Sequence, residues 1–301
     1  MDKRYRAVVV GCGRIGALWG MDSAEVQPAS HAAAIVANRR TELAGLVDVN
    51  AEILQKAGAY FGAPTFGTVE DALAQKPDIV ILATPPSTHE KLLKTVLQSA
   101  PPAIVCEKPL SDSTESAWRM LEMTKGTGSI VVVNYQRRFF PLYQQARRRI
   151  QDGELGDVQE IRGVYSKGLL NNGSHLIDAI HLLTNSEAVY AEGTTITYTS
   201  GAVATLIAVP DTVEQHDLTL QGTKGSLFIT DFGYRFEWSS GEVQTDKRGM
   251  PEPTIAHVVE CLDGGTPLCT VLDGYKAVSV VDALLHSAKE GRRIAVPTLS
   301  S

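Results

Sequence analysis

The chain has 301 residues, about twice the size of a common single domain, so we expect two domains. Its hydrophobic fraction of 44% and charged fraction of 21% are typical of a globular protein and exclude a disordered or fibrous chain. A net charge of −6 argues against nucleic acid as a partner. The four cysteines form neither a CxxC pair nor a metal-ligand spacing, which favours reduced thiols in a cytoplasmic protein over a zinc or disulfide scaffold.

The apolar runs of the chain do not predict a membrane segment. The run Ala7–Val10 is too short for the core of a signal peptide. The stretch Ala202–Pro210 has about half the length that spans a bilayer. We therefore expect a soluble, cytoplasmic chain with no membrane partner.

Short apolar, β-branched runs alternate with helical patterns over residues 1–134. The predicted strands are Ala7–Val10, Leu43–Val47, Thr65–Phe66, Ile79–Ala83, Ala103–Cys106 and Ile130–Asn134. The predicted helices are Ala51–Phe61, Thr68–Gln75, Ser87–Ser99 and Thr114–Lys125, the third with capping-box spacing between Ser87 and Glu90. Continuously apolar runs are typical of parallel strands that are buried on both faces. The pattern predicts an α/β domain with a doubly wound parallel sheet.

Residues 135–301 have a different pattern, rich in strands. The predicted strands are Val158–Lys167, Val189–Thr199, Ala202–Val209, Gln215–Gln221, Ser226–Thr230 and Tyr234–Trp238. Turn residues such as Ser200-Gly201 lie between them, which predicts an antiparallel meander. Helices are expected at Ser174–Leu183 and Gly274–Lys289. Together these elements predict an α+β domain.

A glycine-rich loop, Gly11-Cys12-Gly13-Arg14-Ile15-Gly16, follows the first predicted strand directly. In a G-x-G-x-x-G loop at this place, the first glycine permits a tight turn and the second lets the backbone approach a pyrophosphate. The third allows close packing of helix and strand. The loop therefore predicts dinucleotide binding.

Asp48 ends the second predicted strand, where a carboxylate can bind both ribose hydroxyls of NAD and repel a 2′-phosphate. It lies 32 residues after Gly16 rather than the usual ~20, and an insertion at Ala17–Ala29 accounts for the excess. A helix cap is the alternative role for Asp48. NAD is the expected cofactor, and NADP stays open because Arg14 or Arg39 could meet a phosphate.

Two further segments end predicted strands at the same edge of the sheet. Thr84-Pro85-Pro86 with His89 follows the fourth strand, and Glu107-Lys108-Pro109 follows the fifth. Ligands of such sheets bind outside the carboxyl ends of the strands. A lysine there can point into the cofactor cleft, although a surface turn is the commoner place for lysine.

These motifs, in this order, resemble the glucose–fructose oxidoreductase / inositol dehydrogenase (Gfo/Idh/MocA) family. The resemblance continues through the rest of the chain, at Asn134–Phe139, Asn171–Asp178 and Gln221–Ser226. It implies a Rossmann domain over residues 1–134 and a substrate-binding α+β domain with an open, mostly antiparallel sheet over residues 135–301. It also implies NAD(P)-dependent hydride transfer to or from a secondary alcohol of a sugar or polyol.

The resemblance also implies roles for individual residues. Lys108 matches the catalytic lysine of the family and His175 its acid/base, with Glu107 and Pro109 as supports. The implied cofactor-binding residues are Gly11, Gly13, Arg14, Ile15, Gly16, Asp48, Thr84, Pro85, His89, Glu107 and Lys108. Because Lys108 and His175 belong to different predicted domains, we expect them to meet at a cleft between the domains.

One position departs from the family pattern. Asn171 stands four residues before His175, where the family usually has aspartate. Asparagine can orient an imidazole through a hydrogen bond but cannot stabilise the imidazolium by charge. Asp178 lies on nearly the same helix face as His175 and is the nearest acidic candidate, with a structural helix anchor as its alternative role.

Other polar residues are assigned structural roles. His181 faces away from His175 and is expected to pack, His31 to cap a helix or be solvated, and Cys12 to fill space in the loop. No HExxH motif, His pair or carboxylate cluster indicates a metal.

The favoured function is an NAD(P)-dependent dehydrogenase that acts on CH–OH groups of a sugar or polyol. The alternatives are a non-catalytic dinucleotide- or sugar-binding regulator, favoured by Asn171, and a glycosidase that recycles NAD. Because an open sheet face invites association, we expect a homodimer or homotetramer that packs through Val189–Trp238.

Overall fold

A computed structural model describes residues 3–22, 24, 26–246 and 252–298. The strands are β1 (Tyr5–Val10), β2 (Thr41–Val47), β3 (Thr65–Phe66), β4 (Ile79–Leu82), β5 (Ala103–Cys106), β6 (Ile130–Val133), β7 (Val158–Tyr165), β8 (Ala188–Glu192), β9 (Thr195–Tyr198), β10 (Val203–Ala208), β11 (His216–Gly222), β12 (Ser226–Thr230), β13 (Arg235–Trp238), β14 (Val243–Thr245) and β15 (Ile294–Ala295). The α-helices are α1 (His31–Ala37), α2 (Ala51–Phe61), α3 (Val69–Leu73), α4 (Pro86–Gln98), α5 (Thr114–Thr124), α6 (Pro141–Gln151), α7 (Ser174–Thr184), α8 (Glu252–Leu262) and α9 (Val271–Glu290). In the part of the chain that the structure describes, no helix is both long and apolar enough to cross a membrane.

The chain divides into two compact units. The first runs to Phe139 and includes a later segment that ends at Leu272, whereas the second begins at Phe140 and resumes at Asp273. The sequence pattern assigns everything after residue 134 to one domain and does not indicate that a later segment returns to the first unit. That the chain consists of two independently folding domains, with a boundary after residue 134, stays a prediction.

The first unit contains a six-stranded, fully parallel sheet in the order β3-β2-β1-β4-β5-β6. Every residue of β4 and β5 is buried, as the continuous apolar runs predict. The strand order reverses between β1 and β4, and sheets of this kind bind ligands at such a reversal, outside the carboxyl ends of the strands. The doubly wound α/β fold is confirmed.

The helices of this sheet begin and end close to their predicted positions, with one local error. The side chain of Asn50 caps α2 by accepting hydrogen bonds from two backbone N–H groups, and Gly62 ends the helix with φ +62°. The capping box at Ser87 is wrong, because α4 begins at Pro86, where a proline ring already has helical φ. Glu90 instead accepts two hydrogen bonds from Arg119 of α5, at 2.7 and 2.8 Å.

The segment after the glycine loop explains the long spacing to Asp48. The chain makes one helical turn from Gly13 and then a short 3₁₀ turn at Leu18–Met21. Helix α1, capped by the Ser30 side chain, then resumes where that turn stopped. The backbone N–H of His31 donates to Ile15 at 2.8 Å, and that of Ala32 donates to Gly16 at 3.0 Å. The insertion therefore loops out between two parts of one helical path.

Helix α8 belongs to the first unit, where it packs against β5, β6 and α1. The ring of His257 stacks on Phe139 at 4.8 Å between ring centroids, and its Nε2 accepts a hydrogen bond from the Leu268 backbone at 3.0 Å. Burial lowers the pKa of His257, and Glu260 opposes that shift. This helix is absent from the sequence prediction, although it brings the side chain of Thr254 into the core of the first unit.

The second unit contains a nine-stranded sheet in the order β14-β13-β12-β11-β7-β10-β9-β8-β15. All neighbouring pairs are antiparallel except β7 and β10, which are parallel, so the expected meander is correct for most of the sheet. The single strand predicted at Val189–Thr199 is wrong, because the chain turns at Gly193 with φ +59° and forms β8 and β9. The short edge strands β14 and β15 were not predicted.

Candidate active site

The glycine loop has the geometry that its sequence predicts. Gly11 has φ +95°, and a Cβ atom added to it would lie 2.7 Å from the carbonyl oxygen of Ala83. A Cβ atom on Gly16 would collide with the carbonyl oxygen of Gly11. By contrast, no atom lies within 4 Å of a Cβ atom added to Gly13. The first and third glycines are therefore needed for packing, and the second leaves open space where a pyrophosphate can approach the backbone.

Asp48 holds the glycine loop to the end of β2. Its carboxylate accepts hydrogen bonds from the backbone N–H of Cys12 at 2.7 Å and from that of Asn50 at 2.8 Å. The alternative role as cap of α2 is excluded, because Asn50 caps that helix. Asp48 and Ile15 remain partly exposed, and Arg14 is exposed. A ribose contact stays a prediction for this carboxylate.

Cys12 is buried inside the loop, as a space-filling residue would be. Burial, together with the negative charge of Asp48, raises the pKa of its thiol to about 12. Such a thiol is unreactive at neutral pH.

The loop after β4 is fixed by hydrogen bonds of its own. The hydroxyls of Thr84 and Thr88 lie 2.7 Å apart, and that of Thr88 donates to the carbonyl of Pro85 at 2.7 Å. His89 is fully buried, and its two ring nitrogens lie 2.8 Å from the carbonyl oxygen of Thr84 and 3.1 Å from that of Leu110. His89 thus connects the loops that follow β4 and β5 through its two ring nitrogens. Thr84 is partly exposed and Pro85 is exposed.

Glu107 lies at the carboxyl end of β5 with its carboxylate buried among donors. One carboxylate oxygen, Oε1, lies 2.8 Å from His31 Nε2 and 2.5 Å from Asn134 Nδ2. The other, Oε2, accepts from the backbone N–H of Lys108 at 3.1 Å. Burial opposes ionisation of Glu107, but the hydrogen bonds from His31 and Asn134 outweigh it and hold the pKa of this carboxyl below its usual value.

The expectation that His31 caps a helix or is solvated is wrong. The ring is completely buried, and Ser30 is the residue that caps α1. The insertion explains the burial of His31. It moves the start of α1 to a later residue, but His31 still continues the helical path that begins after the glycine loop and reaches Glu107 at the end of β5. A buried imidazole needs a polar partner, and Glu107 supplies it.

Lys108 follows Glu107 and is joined to Pro109 by a cis peptide bond. Burial of the ammonium group lowers the pKa of Lys108 to about 8, with Glu107 opposing the shift and Arg137 adding to it. A lysine with such a pKa can donate a hydrogen bond to a substrate oxygen and can exchange a proton near neutral pH. The side chain lies at the same edge of the sheet as the glycine loop, because both follow the carboxyl ends of parallel strands.

In the second unit, a π-helical turn at Leu169–Gly173 leads directly into α7. Asn171 is exposed on this turn, and its carbonyl accepts a hydrogen bond from the Ser174 hydroxyl at 2.9 Å. His175 and Asp178 follow within the first two turns of α7, and both are buried. The start predicted for this helix is confirmed.

Two aromatic rings accompany His175 that sequence reasoning missed. The ring of His216, at the start of β11, lies 6.2 Å from that of His175, and Phe232 stacks on His216 at 6.4 Å between centroids. No sequence signal indicates His216 beyond its place at the start of the strand that carries the Gln221–Ser226 motif. His181, expected to pack, meets the ring of Tyr198 at 5.8 Å.

The described residues offer no donor set for a metal. Within the parts of the chain that the structure describes, no three His, Cys, Asp or Glu side chains lie close enough together to hold an ion. The four cysteines are free thiols, all of them buried.

Comparison with known families gives this geometry a context. Residues 5–135 match the GFO_IDH_MocA family model, described as "Oxidoreductase family, NAD-binding Rossmann fold". The matched stretch contains the glycine loop, Asp48 and the Glu107-Lys108 pair. This part of the chain belongs to the Gfo/Idh/MocA family. The open space at Gly13 is compatible with the NAD-binding Rossmann fold that this family model describes.

Curated relatives of the chain carry inositol dehydrogenase names. The chain is 31% identical to "Inositol 2-dehydrogenase" of Corynebacterium glutamicum (strain R) over 205 residues, which cover 64% of this chain and 58% of that enzyme. It is 27% identical to "scyllo-inositol 2-dehydrogenase (NAD(+))" of Bacillus subtilis (strain 168), with 71% of this chain and 76% of that enzyme covered.

A solved structure shows the same fold over nearly all of the chain. The WlbA dehydrogenase from Bordetella pertussis, in complex with NADH and UDP-GlcNAcA, has a TM-score of 0.80 and 23% identity. The match covers 98% of this chain and 100% of that one. At this identity the similarity concerns the fold.

Proposed function

We propose that this chain is an NAD-dependent dehydrogenase that transfers a hydride between nicotinamide and a secondary alcohol of a polyol or sugar. The observation that carries the proposal is Lys108, which lies beside the buried carboxylate of Glu107 at the edge of the sheet that also holds the glycine loop. A cationic donor at this edge suits a reaction in which charge develops on an alcohol oxygen.

Residues of the first unit would hold the cofactor. The backbone of Gly11, Gly13 and Gly16 would cradle the pyrophosphate, and Asp48 would accept the ribose hydroxyls. Thr84 and Pro85 would contact the dinucleotide from the loop after β4. When bound, NAD supplies the carbon that accepts the hydride.

The chain's own residues would handle the hydroxyl of the substrate. In the oxidising direction, we assign Lys108 to donate a hydrogen bond that polarises the substrate oxygen. We assign His175 to accept the hydroxyl proton and to return it in the reducing direction. Asn171 would orient the imidazole of His175 without adding a charge.

Cyclic polyols are the first substrate class to test. The relatives named for inositol 2-dehydrogenase and scyllo-inositol 2-dehydrogenase support this choice. The WlbA structure holds a nucleotide sugar, so nucleotide sugars are the second class. Because a fold alone does not fix a substrate, the choice needs a direct test.

The test is a panel of inositols, sugars, sugar acids and nucleotide sugars incubated with the purified chain and NAD⁺. Formation of NADH, followed by its absorbance, is the expected result for at least one polyol or sugar. Tight NADH binding with no turnover across the panel would favour a dinucleotide-binding regulator instead. Release of a sugar from a chromogenic glycoside without accumulation of NADH would favour a glycosidase that recycles NAD.

We also propose a cytoplasmic homo-oligomer that packs through the open face of the second sheet. Tyr190, Val203 and Phe228 share that face by their strand register, and each is 39–40% exposed. Exposed apolar groups on one sheet face favour burial against a second copy.

Light scattering should give the mass of a dimer or tetramer. Phe228→Asp should reduce it, while Val213→Asp, at an exposed position outside the strands, should not. A monomeric mass for the wild-type chain would contradict the proposal.

A further inference from the structure

Four buried polar side chains form one hydrogen-bonded line in the first unit. They come from four separate segments: His31 from α1, Glu107 from the end of β5, Asn134 after β6 and Thr254 from α8. Their residues are 0%, 6%, 2% and 0% exposed, respectively. Burying four polar groups is costly unless each meets a partner, so their meeting needs a reason beyond packing.

The hydrogen bonds of this line all lead to Glu107. The Thr254 hydroxyl donates to Asn134 Oδ1 at 2.7 Å, which fixes the amide so that its Nδ2 faces Glu107 at 2.5 Å. His31 Nε2 lies 2.8 Å from the same carboxylate oxygen, and an ionised carboxylate can only accept a hydrogen bond from it. The backbone N–H of Lys108 donates to the other oxygen. A carboxylate that accepts several hydrogen bonds keeps its charge even when buried.

We propose that His31, Asn134 and Thr254 are positioning residues that keep Glu107 ionised and thereby keep the half-buried Lys108 protonated. This inference rests on the proposed function insofar as it treats Lys108 as the group that meets substrate. We refer to the four side chains His31, Glu107, Asn134 and Thr254 as the carboxylate relay.

The charges around Lys108 determine what the relay does. Burial and the guanidinium of Arg137, from the 3₁₀ turn Gln136–Phe139, both disfavour a charged lysine. Glu107 is the group that favours it, and Glu107 in turn is faced by His31 and Lys108. Without the charge of Glu107, burial and Arg137 act unopposed. The pKa of Lys108 should then fall below its value of about 8.

The first experiment measures the protonation of Lys108 directly, without cofactor or substrate. Competitive acetylation with acetic anhydride across pH 6–10 is read by mass spectrometry of the Lys108 peptide, with the exposed Lys91 as internal reference. The wild-type midpoint should lie near pH 8. Glu107→Gln, which keeps the shape and removes the charge, should lower it by about one unit or more. An unchanged midpoint in Glu107→Gln would overturn the proposal.

A second pair of variants tests the relay even if Glu107→Gln does not fold. His31→Leu removes the donor to Glu107 and should lower the midpoint of Lys108, whereas His31→Gln, which retains a donor, should restore most of it. Rescue by glutamine separates a role in charge from a role in filling space. Equal midpoints in His31→Leu, His31→Gln and the wild-type chain would refute the relay.

The far end of the relay has a matched control. Thr254→Val removes the hydroxyl that fixes Asn134, and Thr41→Val removes another buried hydroxyl of the same unit, which donates to the Ile35 carbonyl at 2.6 Å. Thermal unfolding should report similar losses of stability for the two variants. We expect Thr254→Val to lower the midpoint of Lys108 and Thr41→Val to leave it unchanged; equal midpoints would remove Thr254 from the relay.

Activity measurements keep the two proposals distinguishable. In the variants that shift the labelling midpoint, the limb of the pH–rate profile that reports Lys108 should shift in the same direction. If Lys108→Ala retained full dehydrogenase activity, the proposed function would fail, while the labelling result would still decide the relay. If labelling were unchanged in every relay variant, the relay would fail and the proposed function would stand.

Discussion

The two units surround their candidate catalytic residues differently. In the first unit, Lys108 is adjacent to a carboxylate that three donors hold in its ionised form. In the second unit, His175 is preceded by the amide of Asn171 and accompanied by the ring of His216. Burial disfavours the charged form of Lys108, and Glu107 opposes that effect.

The difference indicates what each residue is needed for. A lysine that must stay charged when buried requires a neighbouring negative charge, which Glu107 supplies. A histidine that must gain and lose a proton near neutral pH needs no fixed charge, and an amide is enough to orient it. Under the proposed function, the first unit would supply the positive charge of Lys108 and the second the mobile proton of His175.

The largest expected effect comes from the mobile proton. His175→Ala removes the acid/base and should lower kcat/KM by about 10²–10⁴-fold. The dissociation constant of NADH should stay nearly unchanged, because the predicted cofactor contacts lie in the first unit. Steady-state kinetics and fluorescence titration measure the two quantities. His181→Ala, on the same helix, is the control and should keep its activity. Full activity of His175→Ala would contradict the division of roles.

Removal of the fixed charge should have the next largest effect. Lys108→Ala deletes the donor that polarises the substrate oxygen and should lower kcat by about 10²–10³-fold. Lys91→Ala, at an exposed position on α4, controls for the loss of a positive charge. Single-turnover measurements with saturating NAD⁺ separate the chemical step from binding. A variant with lowered affinity but normal kcat would show that Lys108 only binds substrate.

Much of this arrangement follows from local sequence signals. The strands of the first unit are readable because burial on both faces requires continuous apolar runs. Gly11 and Gly16 are readable because no other residue fits where they lie. Lys108 and His175 are identified by family motifs at the ends of a strand and at the start of a helix. In each case, a few neighbouring residues contain the information.

The missed features depend on contacts between distant segments. His31 and Glu107 are 76 residues apart in the chain, and Asn134 and Thr254 are 120 apart. No periodicity or spacing predicts such a meeting, and the sequence therefore favours a capping or solvated role for His31. The return of α8 to the first unit and the contact of His216 with His175 are of the same kind. The turn at Gly193 was missed because a strand pattern continues on both sides of it.

A smaller effect is expected on the preference for NADH over NADPH. It tests whether Asp48, a second carboxylate of the first unit, also acts through its charge. The wild-type chain should bind NADH at least about tenfold more tightly than NADPH, because a 2′-phosphate would face Asp48. Asp48→Asn keeps an oxygen that can accept from Cys12 and should narrow the difference. Glu52→Gln, an exposed carboxylate of α2, is the control. Tighter binding of NADPH by the wild-type chain would contradict the role of Asp48.

The smallest effect is expected for Asn171→Asp, a substitution that places a negative charge at residue 171 of the second unit. A carboxylate at that position would stabilise the imidazolium form of His175, so the proton would be held to higher pH. In the oxidising direction His175 must be unprotonated, and the acidic limb of the pH–rate profile should therefore move to higher pH. Because Asn171 is exposed, solvent screens the added charge, and we expect a shift of about one pH unit or less in Asn171→Asp.

Asn172→Asp is the matched control for this shift. It adds the same charge one residue further along the π-helical turn, in a different direction from the helix axis, and should move the limb less. Equal shifts in both variants would indicate a general effect of charge rather than a contact with His175.

An unmoved limb in Asn171→Asp would mean either that His175 does not titrate in the rate-determining step or that the buried Asp178 already supplies the charge. Asp178→Asn separates these two explanations, because it moves the limb to lower pH only in the second case. In that event the second unit would also rely on a buried carboxylate, and the contrast with Glu107 and Lys108 would disappear.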